Sequence, residues 1–265
     1  MSLKTKYGIT ALVAGASEGI GAAFASCLAA EGFDLILIAR RPEPLQKLAD
    51  TLSDKYKVGI RCMVCDLSDE GASEYVVASL EGKEVDILVY NAALSHIGSF
   101  IEHPAEGHNK AARLNMITPM NLVHHFGGKM VEKGRGAIIL MSSMAGLQGS
   151  GFLATYAATK AFNRVLAESL WYEWKDKGVD IIACCAGTTV TPGYIRTKPG
   201  KVSLMAPAAQ KPEDVVRECF SRLGRRPSFI SGQANRFASF IMQRLLPRIT
   251  AVKIMGDNTR KMYRL

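Results

Sequence analysis

Long apolar runs are missing from this chain of 265 residues. No uninterrupted stretch approaches the roughly 20 apolar residues that cross a bilayer. The opening segment, Met1-Ser2-Leu3-Lys4-Thr5-Lys6-Tyr7, also lacks the apolar core of a secretion signal. A cytoplasmic protein with no integral membrane segment is therefore expected. Cysteine is sparse and scattered, at positions 27, 62, 65, 184, 185 and 219, which excludes a disulfide framework. Cys62 and Cys65 form a C-x-x-C in a strand-like run, but no second pair completes a zinc site. His124 and His125 have no carboxylate at ligand spacing, so no metal is expected. Repeats, low-complexity linkers and a second hydrophobic core are also missing, which argues for a single domain over residues 1–265.

Acid is nearly absent from the last part of the chain. Residues 222–265 hold ten Lys or Arg against the single Asp257, so this stretch carries the whole net charge of +9 and the remainder is neutral. Such a basic extension, beginning at about residue 233, fits a phosphate, an anionic lipid, a carboxylated substrate or a neighbouring subunit. A solvated face with no dedicated partner fits equally well.

What is present is punctuation by glycine. A short apolar run over 9–14 meets Gly15, Gly19 and Gly21 in the spacing G-x-x-x-G-x-G and opens a helical pattern over 19–30. Glycines suit a phosphate turn because a side chain would hold the backbone away from the anion, while the next helix offers free N–H groups. Further strand-like runs fall at 33–39, 58–64, 85–90, 137–141, 179–186 and 229–230. Helical patterns separate them, including one at 154–174 with its stop at Gly178, and an apolar-faced basic helix is expected over 237–249. This alternation predicts an α/β fold: a doubly wound parallel seven-stranded sheet with helices on both faces, the Rossmann arrangement. The threonine-rich stretch 188–211 lacks periodicity and reads as a substrate lid.

Ligands of such sheets bind beyond the carboxyl ends of the strands. Gly15 to Gly21, Arg40, Asp66, Asn91, Ser143 and Thr188 to Thr191 all fall there. Tyr156 and Lys160 are four apart on a helix and share a face. An ammonium beside a phenol favours the phenolate and readies the hydroxyl for proton transfer. Ser143, at the end of the preceding strand, is placed to hold a substrate oxygen against that hydroxyl.

Together, Gly15-Ala16-Ser17-Glu18-Gly19-Ile20-Gly21, Asp66-Leu67, Asn91-Ala92-Ala93, Asn115, Ser143, Tyr156-x-x-x-Lys160 and the Gly187-x-x-x-Thr191 loop resemble the short-chain dehydrogenase/reductase family over essentially the whole chain. Within it, Ser142-Ser143-Met144, the loop at 187–192 and Gly232-Gln233-Ala234-Asn235 are similar to bacterial NADP-dependent hydroxysteroid dehydrogenases, the 7β type most closely. The resemblance implies that Tyr156 donates a proton in carbonyl reduction and accepts one in alcohol oxidation. Lys160 would lower the Tyr156 pKa and hold the nicotinamide ribose, Ser143 would polarise the carbonyl, and Asn115 would hold a water leading to solvent. Cofactor contacts are implied at Gly15, Ser17, Glu18, Gly19, Ile20 and Gly21, at Asp66 and Leu67, at Asn91 and Ala92, and at Gly187, Thr189 and Thr191. Ala93 and Ala186 depart from the family's usual glycine and proline, which bears on loop geometry more than on chemistry.

An NAD site needs an acid at the end of the second strand, to accept from the ribose 2′-hydroxyl. Here Arg40 and Arg41 stand there and Asp34 lies at the other end, so NADP(H) is the expected cofactor. Leu94, Ile97, Leu147, Phe152, Leu153, Tyr194, Val202 and Met205 suggest that the small-molecule partner, a hydrophobic carbonyl or alcohol, is a bulky secondary alcohol or ketone such as a hydroxysteroid or bile acid, with Arg196, Lys198 and Lys201 steering a carboxylate. A 3-oxoacyl thioester or small xenobiotic ketone is the alternative substrate. A non-enzymatic NADP(H)- or nucleic-acid-binding protein is the alternative of another class, and it has no chemical need for Ser143, Tyr156 and Lys160. Nucleic acid is not the expected partner, and the family resemblance implies a homodimer or homotetramer.

Overall fold

Branched apolar side chains fill both faces of the central strands, so those strands must be covered on both sides. The computed structural model describes residues 2–197, 199–200 and 207–265. Its strands are β1 (Thr10–Ala14), β2 (Asp34–Ala39), β3 (Ile60–Val64), β4 (Ile87–Tyr90), β5 (Gly136–Ser143), β6 (Val179–Ala186) and β7 (Ser228–Ile230). They form one seven-stranded sheet in the order β3-β2-β1-β4-β5-β6-β7, and every neighbouring pair is parallel. The order reverses beside β1, so the predicted doubly wound sheet forms with a crevice at the carboxyl ends of β1 and β4.

Alternation along each strand divides the interior into two layers where the apolar pattern alone reads as one. Ala11, Val13, Leu35, Leu37, Ile87, Val89 and Ile139 face a layer shared with α2 (Gly19–Ala30), α3 (Pro42–Tyr56) and α9 (Pro212–Arg222). Leu12, Ile36, Ile38, Leu88, Tyr90, Ile138 and Leu140 face the other layer, which takes in α4 (Ala72–Ser79), α6 (Thr118–Lys133) and α7 (Ala154–Trp174).

Some elements were not foreseen. A five-residue helix, α1 (Leu3–Tyr7), is capped by the Ser2 hydroxyl, which accepts from the Thr5 amide. Before β5, α5 (Ala105–Ala112) runs through a π turn at Arg113–Ile117 into α6 as one nearly continuous helix. The lid contains a short helix, α8 (Pro192–Arg196). The single basic helix expected over 237–249 is instead two. α10 (Gln233–Phe240) ends in a π turn at Ile241–Leu245, and Leu246 is extended with φ −100° and ψ 143°. α11 (Arg248–Tyr263) follows. Pro247 is the cause, since proline lacks the amide a helix needs and forces its predecessor out of helical geometry.

Lys198, Lys201, Val202 and Met205, expected to line or steer the substrate pocket, lie outside the described residues. Among the described residues no helix is long and apolar enough to cross a membrane. The six cysteines are free thiols.

Candidate active site

The glycine turn between β1 and α2 is built by close approach. Gly15 has φ +78°, and a Cβ there would lie 2.6 Å from the Ala92 amide nitrogen. A Cβ at Gly21 would lie 1.9 Å from the Gly15 carbonyl oxygen. Asn91, at the end of β4, donates from Nδ2 to that same oxygen at 2.9 Å, which ties the turn to the neighbouring strand. Gly19 meets the lid, because a Cβ on it would lie 2.8 Å from Thr191 Cγ2. Thr191 in turn caps α8, accepting from the Tyr194 amide at 3.1 Å. Ser17, Glu18 and Ile20 are half-buried on the same turn. The cradle thus fits a dinucleotide phosphate: backbone lines it and a helix N-terminus opens onto it.

The two arginines after β2 have different partners. Arg41 donates to Glu18 Oε2 at 2.6 Å, and Arg196 of α8 engages both oxygens of that carboxylate. These contacts, Arg196 first and Arg41 after it, hold the Glu18 carboxyl below its usual pKa in spite of partial burial. Arg196 is therefore committed to the glycine turn, not to the substrate carboxylate expected of it. Arg40 is exposed and faces Asp66. Burial raises the Asp66 pKa, but the Ser68 hydroxyl and amide and the Arg40 and Lys110 charges bring it below its usual value. Asp34, at the other end of β2, accepts from the Gly59 amide at 2.7 Å and takes no part in the crevice. Leu67 is buried, and its carbonyl accepts from Thr118 Oγ1 at 2.9 Å. Thr189 is also buried and turns back to the Gly187 carbonyl at 3.0 Å.

Ser143 closes β5, and its Oγ accepts from the Ala145 amide at 3.2 Å while facing the Tyr156 phenol. Tyr156 and Lys160 share one face of α7, with Lys160 Nζ 5.7 Å from the phenol ring centroid. The ammonium is 2% exposed and donates to the Met141 carbonyl at 2.8 Å. Burial lowers its pKa to about 8. Burial raises the Tyr156 pKa above its ordinary value, against a lowering by Ser143, with Tyr263 adding to the rise. The expected Lys160 effect on the phenol is thus not what dominates here: desolvation holds both groups toward neutrality.

Asn115 sits on the π turn and is fully buried. It accepts from the Leu94 amide at 2.9 Å and donates to the Leu94 carbonyl at 2.8 Å and to Thr159 Oγ1 at 3.0 Å. Both of its amide protons are used, so the side chain clamps the loop after β4 to the catalytic helix. π turns inside α-helices are frequent at functional sites.

Sequence reasoning missed two contributors. His108 and Thr155 meet at 2.8 Å, joining α5 to the residue before Tyr156. Tyr263, the last residue of α11, sits near Tyr156, Tyr194 and Thr197. The available signal for α11 was Ala251, Met255 and Thr259 recurring every fourth residue beyond Pro247. A groove of about 890 Å³ between α2 and α9 reaches Gly19 of the turn and Val190 and Pro192 of the lid, but includes none of Ser143, Tyr156 or Lys160.

A 7beta-hydroxysteroid dehydrogenase of Clostridium sardiniense is 35% identical over 236 residues, spanning 89% of this chain and 90% of the relative. A solved structure from work on 7beta-hydroxysteroid dehydrogenase stereoselectivity has a TM-score of 0.90 at 32% identity, covering 96% of this chain and 99% of that one. A short-chain dehydrogenase from Sphingobium yanoikuyae in complex with NADPH has a TM-score of 0.77 at 27% identity, covering 89% of this chain and 94% of that one. The family model for short chain dehydrogenase matches residues 9–201. Because that span runs from β1 into the lid, taking in the glycine turn, the end of β5 and the Tyr156–Lys160 face, this chain belongs to the short-chain dehydrogenase family.

Proposed function

We propose that this oxidoreductase uses NADP(H) to interconvert a bulky apolar secondary alcohol and its ketone, of the hydroxysteroid or bile-acid kind. The observation that carries the reading is the Ser143 hydroxyl facing the Tyr156 phenol, with Lys160 buried beneath the ring. When bound, the nicotinamide supplies or accepts the hydride. Ser143 donates to the carbonyl oxygen and Tyr156 gives that oxygen its proton; in the reverse direction the phenolate removes the proton from the alcohol. The raised Tyr156 pKa keeps the phenol protonated at neutral pH, which favours reduction there and oxidation at higher pH. Lys160, charged below about pH 8, supports the phenolate as it forms. Asn115 fixes the loop that borders both groups, leaving one acceptor position on Oδ1 for a water.

Cofactor preference rests on Arg40. Arg41 is engaged by Glu18, whereas Arg40 is exposed at the end of β2, makes no ion pair among the described residues and lends its charge to Asp66. A guanidinium there accommodates a 2′-phosphate. Arg40→Ala is expected to weaken NADPH binding roughly 10- to 100-fold, the worth of one charge-assisted hydrogen bond, and to leave NADH within about 2-fold. Titration of both cofactors by fluorescence checks this, and equal losses would remove Arg40 from the phosphate site.

The half-buried Leu147 and Phe152 before α7 and Tyr194 in the lid, together with the hydroxysteroid dehydrogenase relatives, support a bulky apolar substrate. We take the protein as a single-domain cytoplasmic homo-oligomer. Exposed Ile117 and Met120 near the start of α6, and Val165 and Tyr172 on α7, supply apolar surface for self-association. The test is NADPH oxidation with a panel of steroid ketones, oxo bile acids, 3-oxoacyl thioesters and small ketones. The tetracyclic ketones are expected to give the highest kcat/KM. A preference for the thioesters, or turnover of none, would overturn the proposal.

A further inference from the structure

A helix on the surface of a protein normally turns its apolar side inward, and α10 does the reverse. Its buried residues are polar: Asn235 is 4% exposed and Ser239 is 5% exposed. Both find partners there. Asn235 Nδ2 donates to the Ser231 carbonyl at 2.8 Å and to Gln210 Oε1 at 3.0 Å, and Ser239 Oγ accepts from Gln243 Nε2 at 3.4 Å. Phe237 stands two residues from each of them, and so on the opposite side of the helix. It is 68% exposed, and Phe240, one turn on, is 55% exposed. The helix is thus fixed through its polar side and holds two aromatic rings out to water.

The apolar surface continues beyond α10. Leu245 in the π turn and Ile249 in the first turn of α11 stand on either side of Pro247, and both are exposed. Arg244 and Arg248 are interleaved with them and are exposed as well. No Asp or Glu occurs between Glu218 and Asp257, and Glu218 is engaged by Arg236. Large apolar side chains and positive charge therefore share one stretch of surface to which the local sequence supplies no acid.

Charge selects the partner. A second copy docking about a two-fold axis would set this positive surface against itself, and like charges brought together there repel. A single-stranded nucleic acid stacks its bases on flat rings, whereas Leu245 and Ile249 have none. The surface of an anionic bilayer complements both features: its phosphates face the guanidinium groups, and its acyl boundary takes up the aromatic and aliphatic side chains. Phe237, Phe240 and Arg244 follow one another at three and four residues, the spacing that presents them together on one face.

We propose that the outward face of α10, with the elbow leading into α11, is a peripheral docking surface for anionic phospholipid. The assignment is independent of which ketone the enzyme reduces.

The experiment mixes the full-length protein with vesicles of phosphatidylcholine alone, or of phosphatidylcholine with about one-third phosphatidylglycerol, and reads the bound fraction by co-sedimentation. Wild type is expected to bind the anionic vesicles at least about 10-fold more tightly than the neutral ones, and to lose most of that binding in about 0.5 M salt. The double variant Phe237→Ser, Phe240→Ser removes the inserting rings, and Arg244→Glu reverses one charge. Each is expected to weaken binding about 10-fold or more. Both should keep a thermal midpoint within about 3 °C of wild type, because the altered side chains face water. Lys47→Glu makes the same change of net charge on the exposed side of α3, and should bind within about 2-fold of wild type. No binding of wild type to the anionic vesicles, or equal binding to the neutral ones, would overturn the proposal. So would unchanged binding in either patch variant, or an equal loss in Lys47→Glu, which would make net charge the cause. A smaller native mass for the double variant by light scattering would give this face to a second copy of the chain, and would overturn it too.

Discussion

Tyr156→Phe is expected to lower ketone reduction by about 10²- to 10⁴-fold, the range associated with a positioned proton donor, while NADPH affinity stays within about 3-fold. The substitution removes one oxygen and keeps the ring that packs over Lys160. Ser143 keeps its bond from the Ala145 amide, so the end of β5 should hold its shape. The carbonyl then retains a hydrogen-bond donor in Ser143 but has no group able to complete the proton transfer. Single-turnover measurement of NADPH absorbance separates this loss from a binding defect. Turnover within about 10-fold of wild type would show that another group delivers the proton, and would remove Tyr156 from the mechanism.

Lys160→Met is expected to abolish most activity and at the same time to stabilise the fold. Burial lowers the ammonium from its ordinary 10.5 to about 8. That difference corresponds to about 3 kcal/mol against the charged form in the folded state. Leaving the Met141 carbonyl without its donor costs about 1 kcal/mol in return. The balance, roughly 2 kcal/mol, should raise the thermal midpoint by about 4–8 °C at neutral pH. The unfolded chain binds this proton more tightly than the folded one. The penalty is therefore full below about pH 8 and fades as pH rises toward 10.5, so the variant's advantage should shrink across that window. Calorimetry at several pH values reads the effect. A lower midpoint at neutral pH would mean that the ammonium is held at a net gain, against the account of a charge retained for chemistry at the expense of stability.

Much of the fold was legible because local rules and the final packing agree. The 9–14 run became β1 with one residue trimmed, and the helix over 154–174 and the strand over 179–186 appear with the bounds their periodicity suggested. Gly15 and Gly21 announced a close-packed turn, and the coordinates show the Ala92 and Gly15 backbone in the space their side chains would need. The C-terminal region differs from its reading even though the cue is local: Pro247 stands near the end of the expected helix over 237–249, and the apolar pattern continues past it. The π turn carrying Asn115 had no cue, since an extra residue in one helical turn leaves the apolar spacing on either side nearly unchanged.

By itself the sequence determined the alternation of strands and helices, the sheet they compose and the placement of polar residues at its carboxyl edge. Each depends on spacing along the chain, which sequence records directly. Only the tertiary structure decided which arginine is tied to Glu18, whether burial or charge governs Tyr156 and Lys160, and that the helix ending in Tyr263 packs against the loop before α7. Those outcomes depend on distances between residues as far apart in sequence as Glu18 and Arg196, or Tyr156 and Tyr263, and on how much water the assembled layers exclude. No local pattern encodes either quantity.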